Sequence, residues 1–110
     1  MDAFELTELI AERAGSNQRY LEFLRVPALS AGLYVLPASG VDGQQPHTED
    51  EVYYVASGRG AFRCGAEDRP VAAGSLLYVP AHVEHRFHSI EQELVILVFF
   101  APAEGSQAAA

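Results

Sequence analysis

From about residue 20 onward the chain is a series of short apolar runs, each closed by a turn signal, and this rhythm limits its fold more than any other feature. RYLEFLRV ends at Pro27, AGLYVLP runs into SGVDG, and EVYYVAS runs into GRG. AFRC is closed by GAED, RPVA by AG and SLLYV by Pro80. HRFHSI then reaches a turn at EQE before the longest apolar run, LVILVFFA at 94–101. Many short runs at regular spacing predict an all-β sandwich or barrel. The last run is rich in β-branched and aromatic residues, which suits a strand buried on both faces. Glu91 and Glu93, just ahead of it, guard it against aggregation.

The first fourteen residues differ in period. Phe4, Leu6, Leu9, Ile10 and Ala14 form a loose apolar stripe, Asp2 and Glu5 have the spacing of a capping box, and Gly15 stands where a helix would end. With 110 residues and no internal repeat or linker, one domain is expected. The expected organisation is an N-terminal helix and lead-in over 1–19, a barrel over 20–101 and a small polar tail, disordered or loosely attached, over 102–110.

A net charge of −8 and scattered basic residues argue against nucleic acid and anionic membrane as partners. The longest apolar run is far short of the roughly 20 residues a membrane-spanning helix needs. Cys64 is the single cysteine, so no intrachain disulfide can form and a reducing compartment fits. The opening MDAFELTELIAERAG has no basic stretch and carries four acids, unlike a secretory signal. A cytoplasmic location is expected.

Four histidines are present: His47, His82, His85 and His88. The last three are spaced as on a helix face, but Pro80 and the alternation of HRFHS predict a strand instead. On a strand His85, Phe87 and Ser89 face one way and Arg86 and His88 the other. His88 is therefore read as a surface residue and His82 as a loop residue. If Thr48–Asp50 form a tight turn, His47 ends one strand and Glu51 begins the next, converging on one interior face with Tyr53 and Val55. A carboxylate facing a barrel interior is costly unless it is paired or bound to a cation. Glu49 and Asp50 are read as a solvated acidic turn. Cys64 alternates with Phe62 and is read as a small buried apolar residue rather than a nucleophile.

These residues also resemble two motifs of the small single-domain cupins, whose fold is a double-stranded β-helix (jelly-roll) barrel. The first motif, Gly-x5-His-x-His-x3/4-Glu-x6-Gly, is met by His47, Glu51 and Gly58, with Gln45 where the first histidine stands and Gly40 one step out of register. The second, Gly-x5-Pro-x-Gly-x2-His-x3-Asn, is met by Gly74, Pro80 and His85, with His82 in place of the glycine and Ser89 in place of the asparagine. A glycine there serves a φ > 0 turn, a conformation histidine adopts more readily than most residues. The likeness spans roughly residues 28–101. It implies a cupin barrel with a short N-terminal α-helix, and His47, Glu51 and His85 as ligands of a divalent transition metal: iron, manganese, nickel, copper or zinc. Gln45 would ligate, hydrogen-bond a metal-bound water, or stand by. Tyr53 and Phe87 would wall a pocket for a small-molecule ligand, and a homodimer is expected.

Two readings of function follow. In one, the metal and pocket form a dioxygenase, or an isomerase, cyclase or lyase. In the other, the barrel is a non-catalytic sensor or carrier that has lost part of its metal site. A barrel of this kind hosts many chemistries, so the fold does not choose between them.

Overall fold

The computed structural model describes residues 1–108 and shows one helix and six strands: α1 (Leu6–Ser16), β1 (Tyr20–Val26), β2 (Leu29–Leu36), β3 (Asp50–Cys64), β4 (Glu67–Ala72), β5 (Leu76–Val79) and β6 (His85–Ala101). The sheet order is β1-β2-β6-β3-β4, all antiparallel, with β5 added beside β3. β3 and β6 are the frame. β6 pairs with β3 along its length on one side, while β5 covers residues 51–54 and β4 residues 59–64 on the other.

Two turns expected from sequence are bends instead. GRG lies inside β3 and EQE inside β6. The β3–β6 register slips between Val55 and Ser57, again before Arg59 and again before Ala61, so both strands bulge at one level and change direction without reversing. Gly58 makes this possible: its φ is 97°, and a Cβ there would strike the Glu93 carbonyl. Gly74 (φ 95°) and His82 (φ 68°) take the left-handed turns expected on either side of β5. Ser89 also has positive φ (50°) and is exposed, so it leaves the inward row that His85 and Phe87 keep.

The inward side chains form one core, including Tyr34, Leu36, Tyr53, Val55, Phe62, Phe87, Leu94, Ile96 and Phe100. α1 builds a second by laying Leu9 on Leu33, Val35 and Val95, with Leu6, Ile10 and Leu97 at its edge. β2 and the first half of the 94–101 run are therefore covered on both faces, which explains their unbroken apolar sequence; Phe99, beyond the helix, is partly exposed. Burying each such side chain contributes roughly 1.5–3 kcal/mol. The helix starts later than its stripe suggested. Glu5 is the N-cap without a side-chain bond, so Asp2 and Glu5 form no capping box, and Asn17 (φ 60°), not Gly15, makes the left-handed exit. Among the described residues no helix is long and apolar enough to cross a membrane.

The C-terminal segment is not loose where it is described. Ala103 is buried, the Glu104 N–H donates to Ser30 Oγ at 2.9 Å, and Arg25 donates to the Glu104 carbonyl at 2.8 Å. The clamp that holds it is Glu49, 2% exposed, whose carboxylate accepts the N–H groups of Gly105 (2.7 Å) and Gln107 (2.9 Å) and the Thr48 hydroxyl. Glu49 is thus buried rather than solvated, because it answers backbone donors that would otherwise lack partners. Asp50 is exposed and accepts the Ala81 N–H at 2.9 Å. Residues 109–110 of the expected tail lie outside the described residues.

Candidate metal centre

Alternation along β3 turns Glu51, Tyr53 and Val55 inward and Val52 and Tyr54 outward, which leaves a carboxylate 1% exposed inside the barrel. His85, 3% exposed, opens β6 on the same side. His47 arrives from the long loop before β3, its carbonyl accepting the His82 N–H at 2.7 Å and its ring packed edge-on against Phe100. One ligand atom from each of His47, Glu51 and His85 lies within 4.8 Å of the others. His85 Nε2 is 2.9 Å and His47 Nε2 3.8 Å from Glu51 Oε1.

The donor set fits a cation. His85 Nδ1 lies 2.9 Å from the Val83 carbonyl, to which it donates, so Nε2 is the atom presented to the cluster. Both Glu51 oxygens and His85 Nε2 are buried without a hydrogen-bond partner; the short His85–Glu51 approach lacks hydrogen-bond alignment. Buried polar atoms are rarely left this way, and three together of metal-ligand type form a cluster that could hold a cation. Burial opposes charge on His85, but Glu51, the Val83 carbonyl and Asp42 outweigh it and raise its pKa.

The glutamine at this cluster is Gln44. Gln45, which the motif spacing placed there, is exposed, whereas Gln44 Oε1 lies 3.3 Å from His47 Nε2 and accepts the Tyr53 hydroxyl at 3.0 Å. The segment is a loop, so the alternate-residue rule of a strand does not hold there. Asp42 orients it instead. Buried at 5% exposure, Asp42 accepts bonds from Tyr34 Oη (2.7 Å), the Gln44 N–H (3.3 Å), Gln44 Nε2 (2.9 Å) and the Phe87 N–H (2.9 Å). With its NH2 spent on Asp42, Gln44 must aim its oxygen at His47 and Tyr53. Burial, reinforced by the Glu51 charge, pushes the Tyr53 phenol pKa up.

A pocket of about 190 Å³ adjoins the cluster, lined by Tyr20, Tyr34, Gln44, His47, Phe100 and Glu104 among others. Tyr53 and Phe87 are fully packed in the core behind the cluster and are absent from this lining. Glu104 Oε2 is 3.6 Å from His47 Nδ1, and its pKa is raised, first by burial and then by Glu22, Glu51 and Glu49 against the pull of His47. The Tyr20 ring lies across Gly32, where a Cβ would overlap it, and its buried hydroxyl has no partner. The sequence carried no signal for Tyr20, Asp42, Gln44 or Glu104.

The other candidates lie elsewhere. His82 is exposed, and His88, partly exposed on the outer face, pairs with Asp68 at 2.8 Å. Cys64 is a half-buried free thiol opposite His85 in the register. Burial and the charges of Glu67 and Glu51 raise its pKa, the opposite of an activated thiol.

Known proteins resemble this chain in sequence or in fold. An uncharacterized protein of Streptomyces coelicolor is 53% identical over 104 residues, 94% of this chain and 99% of its own. The crystal structure of TT1209 from Thermus thermophilus superposes with a TM-score of 0.76 at 24% identity, over 94% of this chain and 99% of that one. An RmlC-like cupin from Shewanella frigidimarina superposes at 0.69 and 20% identity, over 76% and 75%. The DMSP lyase DddQ from Ruegeria pomeroyi also superposes at 0.69, with 19% identity, over 84% of this chain and 50% of its own. Residues 32–100 match the Cupin_2 cupin-domain family, and the chain belongs to that family.

Proposed function

We propose that this protein is a metal-binding cupin in which His47, Glu51 and His85 hold a divalent transition metal beside a small-molecule pocket. The observation that carries the reading is the set of three buried, unpartnered ligand atoms on Glu51 and His85, with His47 in reach. Two imidazoles and a carboxylate, with no thiolate, suit iron, manganese, nickel, copper or zinc. Gln44 replaces Gln45 as the residue that could add an amide oxygen. When bound, such a metal supplies Lewis-acid activation of a substrate oxygen or, as iron, a place for dioxygen.

The chain's own residues supply the rest. Glu104 faces His47 Nδ1 at 3.6 Å and would steady the ring with Nε2 turned toward Glu51 and Gln44. Tyr20 Oη is a hydrogen-bond donor waiting for an acceptor, and Phe100 and Val98 give the pocket its apolar wall. A volume of about 190 Å³ holds the equivalent of roughly six waters, so the ligand is small. This supports an oxygenase or an isomerase, cyclase or lyase acting on a small substrate. One solved structure of similar fold is that of a DMSP lyase.

A non-catalytic sensor or carrier is the second reading, favoured by the neutral amide of Gln44 beside the cluster. Elemental analysis and calorimetric titration with Fe2+ and Zn2+ test the common core of both. One ion per chain is expected, lost in His85→Ala, and no binding by the wild-type chain after reconstitution rejects it. Turnover of a ligand that binds the pocket separates the two readings.

A homodimer is supported by a continuous apolar outer face. Val52, Tyr54, Leu76, Tyr78 and Phe99 are all exposed and are neighbours across β5, β3 and β6. Light scattering on the purified chain tests it. A cytoplasmic setting agrees with the one free thiol.

A further inference from the structure

All seven basic residues are arginines, and five of them are engaged. Arg13 donates to the Gln18 carbonyl, Arg19 to that of Val41, Arg69 to that of Pro70, Arg59 to Glu91, and Arg25 to Glu22 and the Glu104 carbonyl. Arg63 and Arg86 alone have no hydrogen bond or ion pair among the described residues, in a chain with fifteen carboxylates. They are also directly opposite each other in the β3–β6 register. Like charges in that position repel and weaken a sheet.

The neighbourhood does not relieve that repulsion. Asp68 is opposite Arg63 on β4, yet its carboxylate is turned to His88 Nε2 at 2.8 Å. Phe62 and Phe87 point inward, so the two guanidinium groups stand on the outer face. Both line two adjoining grooves. One, of about 360 Å³, is shared with Asp42, Asp68, His88 and Ser89 among others; the other, of about 410 Å³, with Gly65, Glu84 and His85.

We propose that Arg63 and Arg86 together form a binding site for a small oxyanion, a molecule bearing a phosphate or carboxylate group, on the outer face of the barrel. Two planar guanidinium forks side by side match the oxygens of such a group, and the anion removes the repulsion between them. The ligand is small rather than polymeric. The chain is strongly acidic, and two arginines flanked by Asp68 and Glu84 cannot neutralise a run of phosphates. His85 borders one groove and Asp42 the other, but the two guanidinium groups stand on the outer face and make no bond to the His47–Glu51–His85 cluster. Loss of anion binding in the arginine variants and loss of Zn2+ binding in His85→Ala are separate readouts, so the two readings are tested separately.

Calorimetric titration of the whole chain with inorganic phosphate, pyrophosphate and citrate, at constant ionic strength in sodium chloride, tests the proposal. Saturable binding of at least one of them is expected, weakened by at least roughly tenfold in Arg63→Gln and in Arg86→Gln. Pyrophosphate above citrate assigns a phosphate ligand, and the reverse a carboxylate. Glu84→Gln, which removes a rim carboxylate, should tighten binding. As a second readout, each arginine variant in anion-free, low-salt buffer should melt no lower than the wild type, and the rise in Tm that the anion gives the wild type should vanish. No saturable binding at millimolar anion, binding that survives both substitutions, variants that melt lower without anion, or binding only to phosphatidic acid vesicles would each overturn it.

Discussion

Glu51 Oε1 and His85 Nε2 lie 2.9 Å apart inside the barrel, and neither atom has a hydrogen-bond partner. Two sets of lone pairs brought this close, away from water, call for a positive charge between or beside them. The raised pKa of His85 expresses the same demand, since a proton answers it in the absence of a metal.

The first expectation concerns that pair. His85→Ala should lower Zn2+ affinity by more than about a hundredfold, because even residues behind a ligand are worth roughly 10–100-fold. Glu51→Ala should do the same. Titration calorimetry with circular dichroism as a check on folding measures both. Wild-type affinity in either variant would dismiss the assignment.

Glu104 should tune the cluster from behind. With Glu104→Gln the charge facing His47 Nδ1 disappears while the backbone contacts of the segment stay. Zn2+ or Co2+ affinity should fall by about tenfold with the melting temperature nearly unchanged. An unaltered affinity, with an unaltered Co2+ absorption spectrum, would show that Glu104 only fills space.

Tyr20→Phe should separate stability from binding. The Tyr20 hydroxyl is buried without a partner, so its removal should leave the protein as stable or more stable by up to about 1 kcal/mol. A ligand that accepts this hydroxyl should bind more weakly. Gly32→Ala places a methyl group in the Tyr20 ring and should cost about 1–3 kcal/mol. Thermal melts of both variants give the comparison.

Acid should release the C-terminal segment through Glu49. Burial opposes ionisation, but the Thr48 hydroxyl, the Gly105 and Gln107 N–H groups and His47 outweigh it and lower the pKa from 4.5. Since the folded value lies below the unfolded one, the stabilisation is complete above pH 4.5 and is lost as the pH falls through the lower folded value. Amide exchange at Gly105 and Gln107 should accelerate in that range before the rest of the barrel opens. At neutral pH, Glu49→Ala should cost about 2 kcal/mol. Protection that persists to lower pH, or a silent Glu49→Ala, would contradict the clamp.

Apart from the likeness to the cupin motifs, what could be read from the chain alone followed from local period. Alternation in EVYYVAS and HRFHS set which way Glu51, Tyr53, His85 and Phe87 face, because in a strand each residue's direction depends only on its neighbours. The bends were misread for the same reason: GRG and EQE look like turns in isolation, and only their alignment in one β3–β6 pair makes them bulges. The N-terminal apolar stripe was sufficient to indicate a helix, but its start and end depended on Glu5 and Asn17.

The sequence by itself determined a β-rich run of strands and an inward Glu51 beside His47, while the likeness to the two cupin motifs is what joined His85 to them. Tertiary structure alone decided that Gln44 rather than Gln45 turns toward them, that Glu49 is buried, and that Glu104 lines the pocket. These residues sit in loops or the C-terminal segment, where no period dictates direction. Their orientation comes from partners distant in sequence: Asp42 bonds the Phe87 N–H 45 residues away, and Glu49 bonds those of Gly105 and Gln107 at 56 and 58. Such contacts exist only after the barrel has brought its ends together, because a loop's polar groups take the nearest partner in space rather than in sequence.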